Sequence, residues 1–453
     1  MNIIIAGVGR VGMQIAQRLT AEGHDITLID HDSDKLETAS NELDVICCFG
    51  SVTSLETLNA AGAQQADILI ASSDSDEVNM ICAIAARRLG AKYTVARIRN
   101  PEYLPQREFL REAIGLSVII NPEYECAREI SRMLRFPNAV RVEIFSNGSA
   151  EILDCRVPGG SPLIGLSLRE CSSRYGARVL VAAVERGDEV HIPDGDFVLR
   201  AGDKLSLLGE EKEIRSYLAA AGHSENRVKN VLIMGGSRTG VYLTELLEKD
   251  GISVSVLERS EARCNELCDL IPHASIICGD GTLDEVLLEE GIRGADAFVA
   301  LTGNDGDNIV TAMYAKRCGV PKVVVKVEHR HFSDMLDGDS GDTMISPEEI
   351  VSQQIVGFVR AISNSSGLSS IETIHKLADG QIEAVEFKVG NGAKCIGIPL
   401  SELRMPKGVL VIAITRGKNT FIPNGSTVIE EDDHVVVVAP AGMLKDINGI
   451  VGR

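Results

Sequence analysis

The sequence predicts an α/β fold written twice over: a parallel-sheet domain followed by a small α+β domain, then the same pair again. Three observations lead there. The chain has 453 residues, enough for three or four folding units at roughly 100 to 200 residues each. A glycine-rich hexapeptide, Gly7-Val8-Gly9-Arg10-Val11-Gly12, returns as Gly235-Gly236-Ser237-Arg238-Thr239-Gly240 at an offset of 228 residues. Around each copy, short Val/Ile-rich runs alternate with longer helix-compatible segments, the pattern of βαβ units and a parallel sheet.

The elements follow in order. In residues 1–136 the runs Ile3–Ala6, Ile26–Asp30, Val45–Cys48, Ile68–Ala71, Thr94–Ile98 and Val118–Ile120 read as strands, and Met13–Leu19 opens the first helix. The last helix begins with a legible signal, Asn121 before Pro122 in the first half and Ser346 before Pro347 in the second. There Glu349 completes the pattern of a capping box with proline at the first helical position. Residues 139–222 differ, with β-rich runs (Val140–Phe145, Val179–Val184, Lys204–Leu208) separated by Gly/Pro/Asp turns, as in a small α+β domain. The second parallel domain spans 228–362 and the second small domain 371–453. Asp30 recurs as Glu258, Asn79 as Asn308, Pro122 as Pro347, and Ile164-Gly165 as Ile396-Gly397, with offsets drifting by a few residues as short surface-loop insertions allow. Gly222-His223-Ser224-Glu225-Asn226 reads as the seam between the halves, and Ser363–Ser370 as a linker inside the second.

Composition narrows the function. The formal net charge is −20, divided evenly as −10 for residues 1–225 and −10 for the rest. An acidic surface repels nucleic-acid phosphates and anionic headgroups alike, so a general binder of either is excluded. Hydrophobic residues at 44% and charged residues at 24% are ordinary for globular domains with real cores. No apolar stretch approaches the roughly 18 residues of a spanning helix, and Met1 leads into Asn2-Ile3-Ile4-Ile5 without a basic leader, so a cytoplasmic location is expected. Eleven cysteines without paired metal-site spacing read as reduced, mostly buried thiols, with Cys47-Cys48 ending a buried strand.

The hexapeptides carry the chemistry. Gly7-x-Gly9-x-x-Gly12 follows an apolar strand, precedes a helix and is followed 18 residues later by Asp30 at the end of the next strand. This is the context of a dinucleotide-binding, Rossmann-like turn. Gly7 permits the tight turn, Gly9 lets the backbone approach a pyrophosphate, and Gly12 allows close helix–strand packing. The start of the helix that follows, with Val8, Arg10 and Val11 in the turn before it, presents free N–H groups and its positive dipole end to phosphate. Asp30, with His31 and Lys35 after it, is placed to meet ribose hydroxyls. A carboxylate there disfavours a 2′-phosphate, so NAD or an adenine nucleotide is expected over NADP. In the second copy Ser237 puts a Cβ where the pyrophosphate presses closest, and Glu258 supplies the carboxylate with Arg259 beside it.

Further segments should line the same crevices, because ligands of open α/β sheets sit beyond the carboxyl ends of the strands. Strand three ends in Gly50-Ser51-Val52-Thr53, matched by Gly279-Asp280-Gly281-Thr282. Strand four ends in Ser72-Ser73-Asp74 ahead of Asn79, matched by Leu301-Thr302-Gly303 ahead of Asn308. Strand five contributes Arg97 and Arg99, or Lys326, as cations for a terminal phosphate.

These residues resemble the TrkA family, the cytosolic subunits of Trk-type potassium uptake systems built from two tandem RCK (regulator of potassium conductance) units. The match covers nearly the whole chain. Besides the two fingerprints with Asp30 and Glu258, it rests on Ala66-Asp67 and Ala295-Asp296, Asp74-Ser75-Asp76-Glu77-x-Asn79, Ala96-Arg97-Ile98-Arg99, Ile396-Gly397 and Ile422-Pro423-Asn424-Gly425. Ser51 stands where many relatives carry Asp, and Ser237 where they carry Gly. The resemblance implies a homo-oligomer, a tetramer forming an eight-unit ring, beneath a membrane potassium-translocating subunit of Trk/Ktr type. It also implies that NAD(H) and ATP or ADP change the ring's shape and so ion flow, with the chain held peripherally at the inner face of the membrane.

An NAD-dependent oxidoreductase is the competing class. Hydride transfer needs a substrate domain presenting an acid/base group. Here each nucleotide domain is followed by a copy of the same small domain, with His191 and His434 at unrelated positions. No catalytic residue and no metal site is expected: His329-Arg330-His331 lacks nearby partners, and Cys264 and Cys268, at i, i+4 spacing, read as packing residues. A duplicated nucleotide domain without visible chemistry points to regulation, and a nucleotide-sensing scaffold for another transporter shares these features.

Overall fold

The computed structural model describes residues 1–136, 141–145, 150–175, 178–187, 189–222, 227–328, 343–364, 369–378, 381–417, 419–444 and 446–452. His329 and His331, and most of the expected seam at 222–226, lie outside them.

The first parallel domain runs β1 (Asn2–Ala6), α1 (Arg10–Ala21), β2 (Asp25–Asp30), α2 (Ser33–Glu42), β3 (Ile46–Phe49), α3 (Leu55–Ala60), β4 (Ile68–Ala71), α4 (Asp76–Leu89), β5 (Tyr93–Arg97), α5 (Arg107–Ile114), β6 (Val118–Ile120) and α6 (Pro122–Arg135). Its six strands are parallel in the order β3-β2-β1-β4-β5-β6. The order reverses between β1 and β4, so a crevice opens beyond their carboxyl ends. Central β1 and β4 are nearly continuous apolar runs because both faces of the sheet are covered: Ile3, Ile5, Leu69 and Ile70 are all buried.

The first small domain follows with β7 (Arg141–Phe145), β8 (Ala150–Arg156), α7 (Leu168–Tyr175), β9 (Leu180–Arg186), β10 (Glu189–His191), β11 (Lys204–Gly209) and α8 (Glu211–Ala220). Its antiparallel sheet has the order β10-β9-β11-β8-β7. The second parallel domain repeats the first: β12 (Asn230–Met234), α9 (Arg238–Lys249), β13 (Ser253–Glu258), α10 (Glu261–Leu270), β14 (Ser275–Cys278), α11 (Asp284–Glu289), β15 (Ala297–Ala300), α12 (Asp305–Arg317), β16 (Lys322–Lys326), β17 (Thr343–Ile345) and α13 (Pro347–Asn364). Its sheet order, β14-β13-β12-β15-β16-β17, is the same. The last sheet, β18 (Ser369–Leu377), β19 (Ile382–Val389), β20 (Leu410–Arg416), β21 (Asn419–Phe421) and β22 (His434–Pro440), is antiparallel in the order β18-β19-β22-β20-β21.

Contacts group like with like. One compact unit holds Met1–Arg135 with Val228–Val356, the two parallel domains, and the other holds Phe136–Arg227 with Gly357–Arg453, the two small domains. Within the first unit, α6 of one domain packs on α9 of the other. Cys126, Ile130 and Leu134 share a core with Val241, Tyr242 and Val231. Burying each such aliphatic side chain contributes about 1.5–3 kcal/mol. Within the second unit, Ile152, Ala183 and Leu208 of one small sheet pack with Ile382, Ile412 and Val436 of the other.

Three expectations need correction. Cys47 and Cys48 are only half-buried, and Ile46 and Phe49 are exposed at 65% and 70%. Apolar content marked a strand but not that β3 lies at the sheet edge. The Ser363–Ser370 linker is shorter than expected, because α13 continues to Asn364 and β18 begins at Ser369. The capping box at Ser346 is half-formed. Ser346 Oγ accepts from the Glu349 N–H (3.4 Å), but the Glu349 carboxylate turns to Gln14 (2.8 Å) and Arg18 of the first domain. A cation within reach outcompetes a backbone N–H.

Candidate nucleotide-binding crevices

Gly7 turns the chain out of β1 at φ +99°, and a Cβ there would stand 2.7 Å from the Ser73 nitrogen. A Cβ on Gly12 would lie 2.0 Å from the Gly7 carbonyl oxygen, so only glycine lets α1 sit this close to the strand. Gly9 is different: nothing of the protein lies within 4 Å of a Cβ built there, and no side chain caps α1. The first turn of α1 therefore faces open space, with N–H groups that the helix cannot itself satisfy. Arg10 is exposed, while Val8 and Val11 are buried. The second turn repeats this with one substitution of role. Ser237 is the N-cap of α9, its Oγ accepting from the Gly240 N–H at 3.3 Å. One donor that α1 leaves free is spent here.

The acidic residues hold the turns as well as facing the crevices. Asp30, 4% exposed, accepts from the Val8 N–H (2.7 Å) through Oδ2 and from the Asp32 N–H (3.0 Å) through Oδ1. Glu258 accepts from the Gly236 N–H (2.9 Å) and the Ser260 N–H (2.9 Å). A carboxylate offers about four acceptor sites, so each keeps capacity for ribose hydroxyls. Nothing in the sequence announced this second duty. His31, largely exposed, places Nδ1 3.2 Å from Asp30 Oδ1, and Lys35 pairs with Asp32 at 3.6 Å. Arg259 is exposed beside Glu258.

Strand three delivers Ser51 and Thr53, whose hydroxyls are 3.0 Å apart, and Asp280, which accepts from the Thr282 N–H (2.9 Å) and hydroxyl (2.8 Å). Val52 belongs to the core. Gly281 packs close, since a Cβ there would meet Met234 Cγ at 2.7 Å. At strand four Ser72 Oγ donates to the Gly7 carbonyl (2.8 Å), and Leu301 is core.

Several expected crevice residues are thus supports. Asn79 is fully buried: its Oδ1 accepts from Ser73 N–H (2.8 Å) and Oγ (2.7 Å), and its Nδ2 donates to the Ser73 and Arg97 carbonyls (3.0 and 2.8 Å). Asn308 does the same with Thr302 and the Lys326 carbonyl. Each amide is used up tying strand four to strand five, so these residues position the crevice wall. Thr239, 3% exposed, is likewise internal.

The strand-five cations differ between copies. Arg97 is buried and its Nε has no hydrogen-bond partner. Its nearest carboxylate is exposed Asp74 at 3.8 Å. Burial, and next the Arg99 cation, pull the Arg97 guanidinium below its ordinary value, yet an arginine stays protonated. An anion in this crevice would offset the cost of burying that charge. Arg99 is already engaged, its N–H donating to Asp76 (2.9 Å) and its guanidinium lying 3.6 Å from Glu123. In the second copy Lys326 pairs with Glu328 (3.1 Å), which lies outside every motif of the sequence, and Glu328 also takes Arg10 of the first domain. On the other side Tyr242 of α9 donates to the Arg99 carbonyl (2.8 Å) and accepts from Asn121 (3.1 Å). Each parallel domain therefore touches the strand-five end of the other. A signal existed for this: the cation at Arg99 becomes an anion at Glu328.

Open space at Gly9, the uncapped start of α1, the spare capacity of Asp30 and the buried guanidinium of Arg97, with its unbonded Nε, fit a nucleotide with an anionic phosphate chain. The second crevice fits one more weakly at its phosphate end.

The TrkA-N domain family matches residues 3–122 and 231–347, and the TrkA-C domain family matches 154–222 and 384–451. The Trk system potassium uptake protein TrkA of Vibrio alginolyticus is 33% identical over 443 residues, covering 96% of this chain and 95% of that one. A homologue of that protein from Archaeoglobus fulgidus is 32% identical over 450 residues, covering 99% of this chain and all of the other. Among solved structures, the GsuK RCK domain superposes with a TM-score of 0.62 at 18% identity, covering 97% of this chain and 92% of that one. The GsuK channel bound to NAD superposes with a TM-score of 0.62 at 17% identity, covering 97% and 76%. Among the described residues, no helix is long and apolar enough to cross a membrane.

Proposed function

The chain belongs to the TrkA family, and from that premise we propose that it is the nucleotide-binding regulatory subunit of a potassium uptake system. NAD(H) and ATP or ADP bind the two crevices and bias the shape of a homo-oligomeric ring, four chains giving eight nucleotide domains, seated under a membrane pore subunit at the cytoplasmic face. The relatives' names supply the ion, and a solved relative in fold is bound to NAD. The observation that carries the reading is the first fingerprint: Gly9 opens onto free space above an uncapped helix while Asp30 closes the turn from behind. The four modules are taken as 1–136, 139–222, 228–362 and 371–453, the nucleotide domains acting as sensors and the small domains mediating interfaces.

The residues that would hold a nucleotide divide by function. Asp30 or Glu258 takes ribose hydroxyls, the N–H groups at the start of α1 or α9 take the pyrophosphate, and Arg97 or Lys326 takes terminal charge. None of this consumes the ligand. A ligand shifts a conformational equilibrium only by its differential affinity for the two states. A roughly 100-fold preference corresponds to about 2.7 kcal/mol, enough to move a finely poised ring. Because each parallel domain touches the strand-five end of the other, through Tyr242 on one side and Glu328 on the other, occupancy of one crevice is felt at the second. The oxidoreductase alternative requires an acid/base group shared by the two halves, and the small domains carry His191 and His434 at unrelated positions.

The test is potassium uptake with the pore partner, for wild type and Asp30→Ala, as ATP, ADP and NADH are varied. The nucleotide response should be lost with binding. An unchanged response in a variant shown to have lost binding refutes the switch.

A further inference from the structure

Three cysteines gather at the ribose end of the second crevice, and the proposed function uses none of them. Cys264 lies on α10, buried, with its Sγ donating to the Glu258 carbonyl (3.4 Å). Cys278 ends β14 and is exposed. In the parallel ladder Glu258 and Cys278 are Cα partners, so the backbone group that receives the Cys264 thiol stands beside Cys278. Burial first, and the facing Cys278 thiol second, push the Cys264 thiol up to about 11. Cys268, one turn further along α10, is exposed. At the equivalent places in the first half the chain carries Leu36 and Phe49, so this chemistry belongs to one crevice only.

We propose that Cys264 and Cys278 form a reversible disulfide under peroxide, a modification site that reports oxidant to the second crevice. The exposed Cys278 thiolate attacks hydrogen peroxide, forming a sulfenic acid and releasing hydroxide. The Cys264 sulfur then attacks the Cys278 sulfur, its proton leaves with the departing oxygen as water, and the disulfide forms. The order follows from access, because a buried thiol with a raised pKa is a poor first nucleophile but a suitable resolving partner held in place. A thiol reductant reverses the reaction by exchange.

The consequence rests on the reading of the second crevice as a nucleotide site. From the same helix, Arg263 Nε donates to the Gly236 carbonyl (2.8 Å), and a Cβ on Gly236 would stand 2.4 Å from Leu267 Cδ1. Helix α10 therefore supports the fingerprint turn on either side of Cys264. Bridging it to β14 removes the S–H donor from the Glu258 carbonyl and constrains the helix that supports the turn, which weakens nucleotide binding there.

The full chain is treated with hydrogen peroxide, blocked, cleaved after Glu266 by a glutamyl endopeptidase, and mapped by mass spectrometry, in parallel with calorimetric titration of ADP. A peptide pair joined through Cys264 and Cys278 is expected, lost in Cys278→Ser, retained in Cys268→Ser, and reversed by dithiothreitol. ADP affinity at the weaker site should fall at least threefold on oxidation in wild type and not in Cys278→Ser. Oxidation that stops at a Cys278 sulfinic acid, or a bond to Cys268 or between chains, overturns the site. A bond that forms without changing affinity overturns the consequence. Reduced protein with no second ADP site defeats the nucleotide reading and leaves the disulfide to stand on the mass measurement.

Discussion

Exchanging the one residue that distinguishes the two fingerprints should exchange part of their affinity. Gly9 and Ser237 occupy nearly the same backbone conformation, φ −77°, ψ −172° against φ −68°, ψ 169°, so Ser237→Gly and Gly9→Ser both fit without strain. The Ser237 hydroxyl occupies the Gly240 N–H at 3.3 Å, a neutral bond worth about 0.5–1.5 kcal/mol net, whereas the same N–H bonded to an ionised phosphate is worth about 1.5–3 kcal/mol. Freeing it should gain about 1–1.5 kcal/mol, roughly five- to tenfold in Kd. The cost to the fold is only about a few tenths of a kcal/mol, since glycine is itself an acceptable N-cap. Gly9→Ser, with nothing within 4 Å of its Cβ, should cap α1 and weaken the first crevice by the same factor. Calorimetry with ADP and NAD on the two variants, with urea melts alongside, reads both effects. Unchanged affinities in both variants, with both proteins folded, would refute the idea that the helix N-termini receive the phosphates.

Three further outcomes follow from the same contacts. Tyr242→Phe keeps the edge-on ring contact with Tyr124 (5.4 Å) but loses the hydroxyl between Arg99 and Asn121, so urea denaturation should show a loss of about 1–2 kcal/mol; no loss would mean the hydroxyl is not buried between the domains. Asn79→Ala removes all four bonds of a fully buried amide and should cost about 3 kcal/mol or more, with protease cleavage appearing first in the loop after β4. In the second unit, burial raises the Asp203 carboxyl, but hydrogen bonds from the Arg186 guanidinium and the Arg200 N–H outweigh it and leave the group below the ordinary carboxylate range. Its folded value being depressed, the stabilisation is present above the unfolded value near 3.9 and is lost as pH falls through the folded value. Arg186→Met should therefore move acid unfolding to higher pH; an unmoved acid midpoint would contradict the pairing.

Most local signals in the sequence are legible by local rules. The glycine turn, the acidic end of the second strand, the Asn121 cap and the duplication each depend on residues a few positions apart, where backbone sterics leave few choices. What escaped depends on neighbours distant in sequence. A Val/Ile/Cys run marks β3 as a strand, yet its half-burial depends on lying at the sheet edge. Glu349 three residues after Ser346 satisfies a capping rule, but Arg18 in the other domain attracts it more strongly. Asp30 at the end of β2 and Asn79 in the first turn of α4 look like ligand contacts because polar residues around the carboxyl ends of such strands often are, and only the fold shows how much of their hydrogen-bonding capacity goes to holding Val8, Ser73 and Arg97. The grouping of like domains across the chain depends on apolar faces such as that of α6, whose partner α9 no periodicity names.

The most direct test is calorimetry of the purified full chain with NADH, ADP and ATP, followed by chromatography of the recovered ligand. The account predicts two unequal sites per chain, the tighter one lost in Asp30→Ala, and nucleotide recovered unchanged. Absence of binding by all three ligands, or steady conversion of any of them, would contradict it.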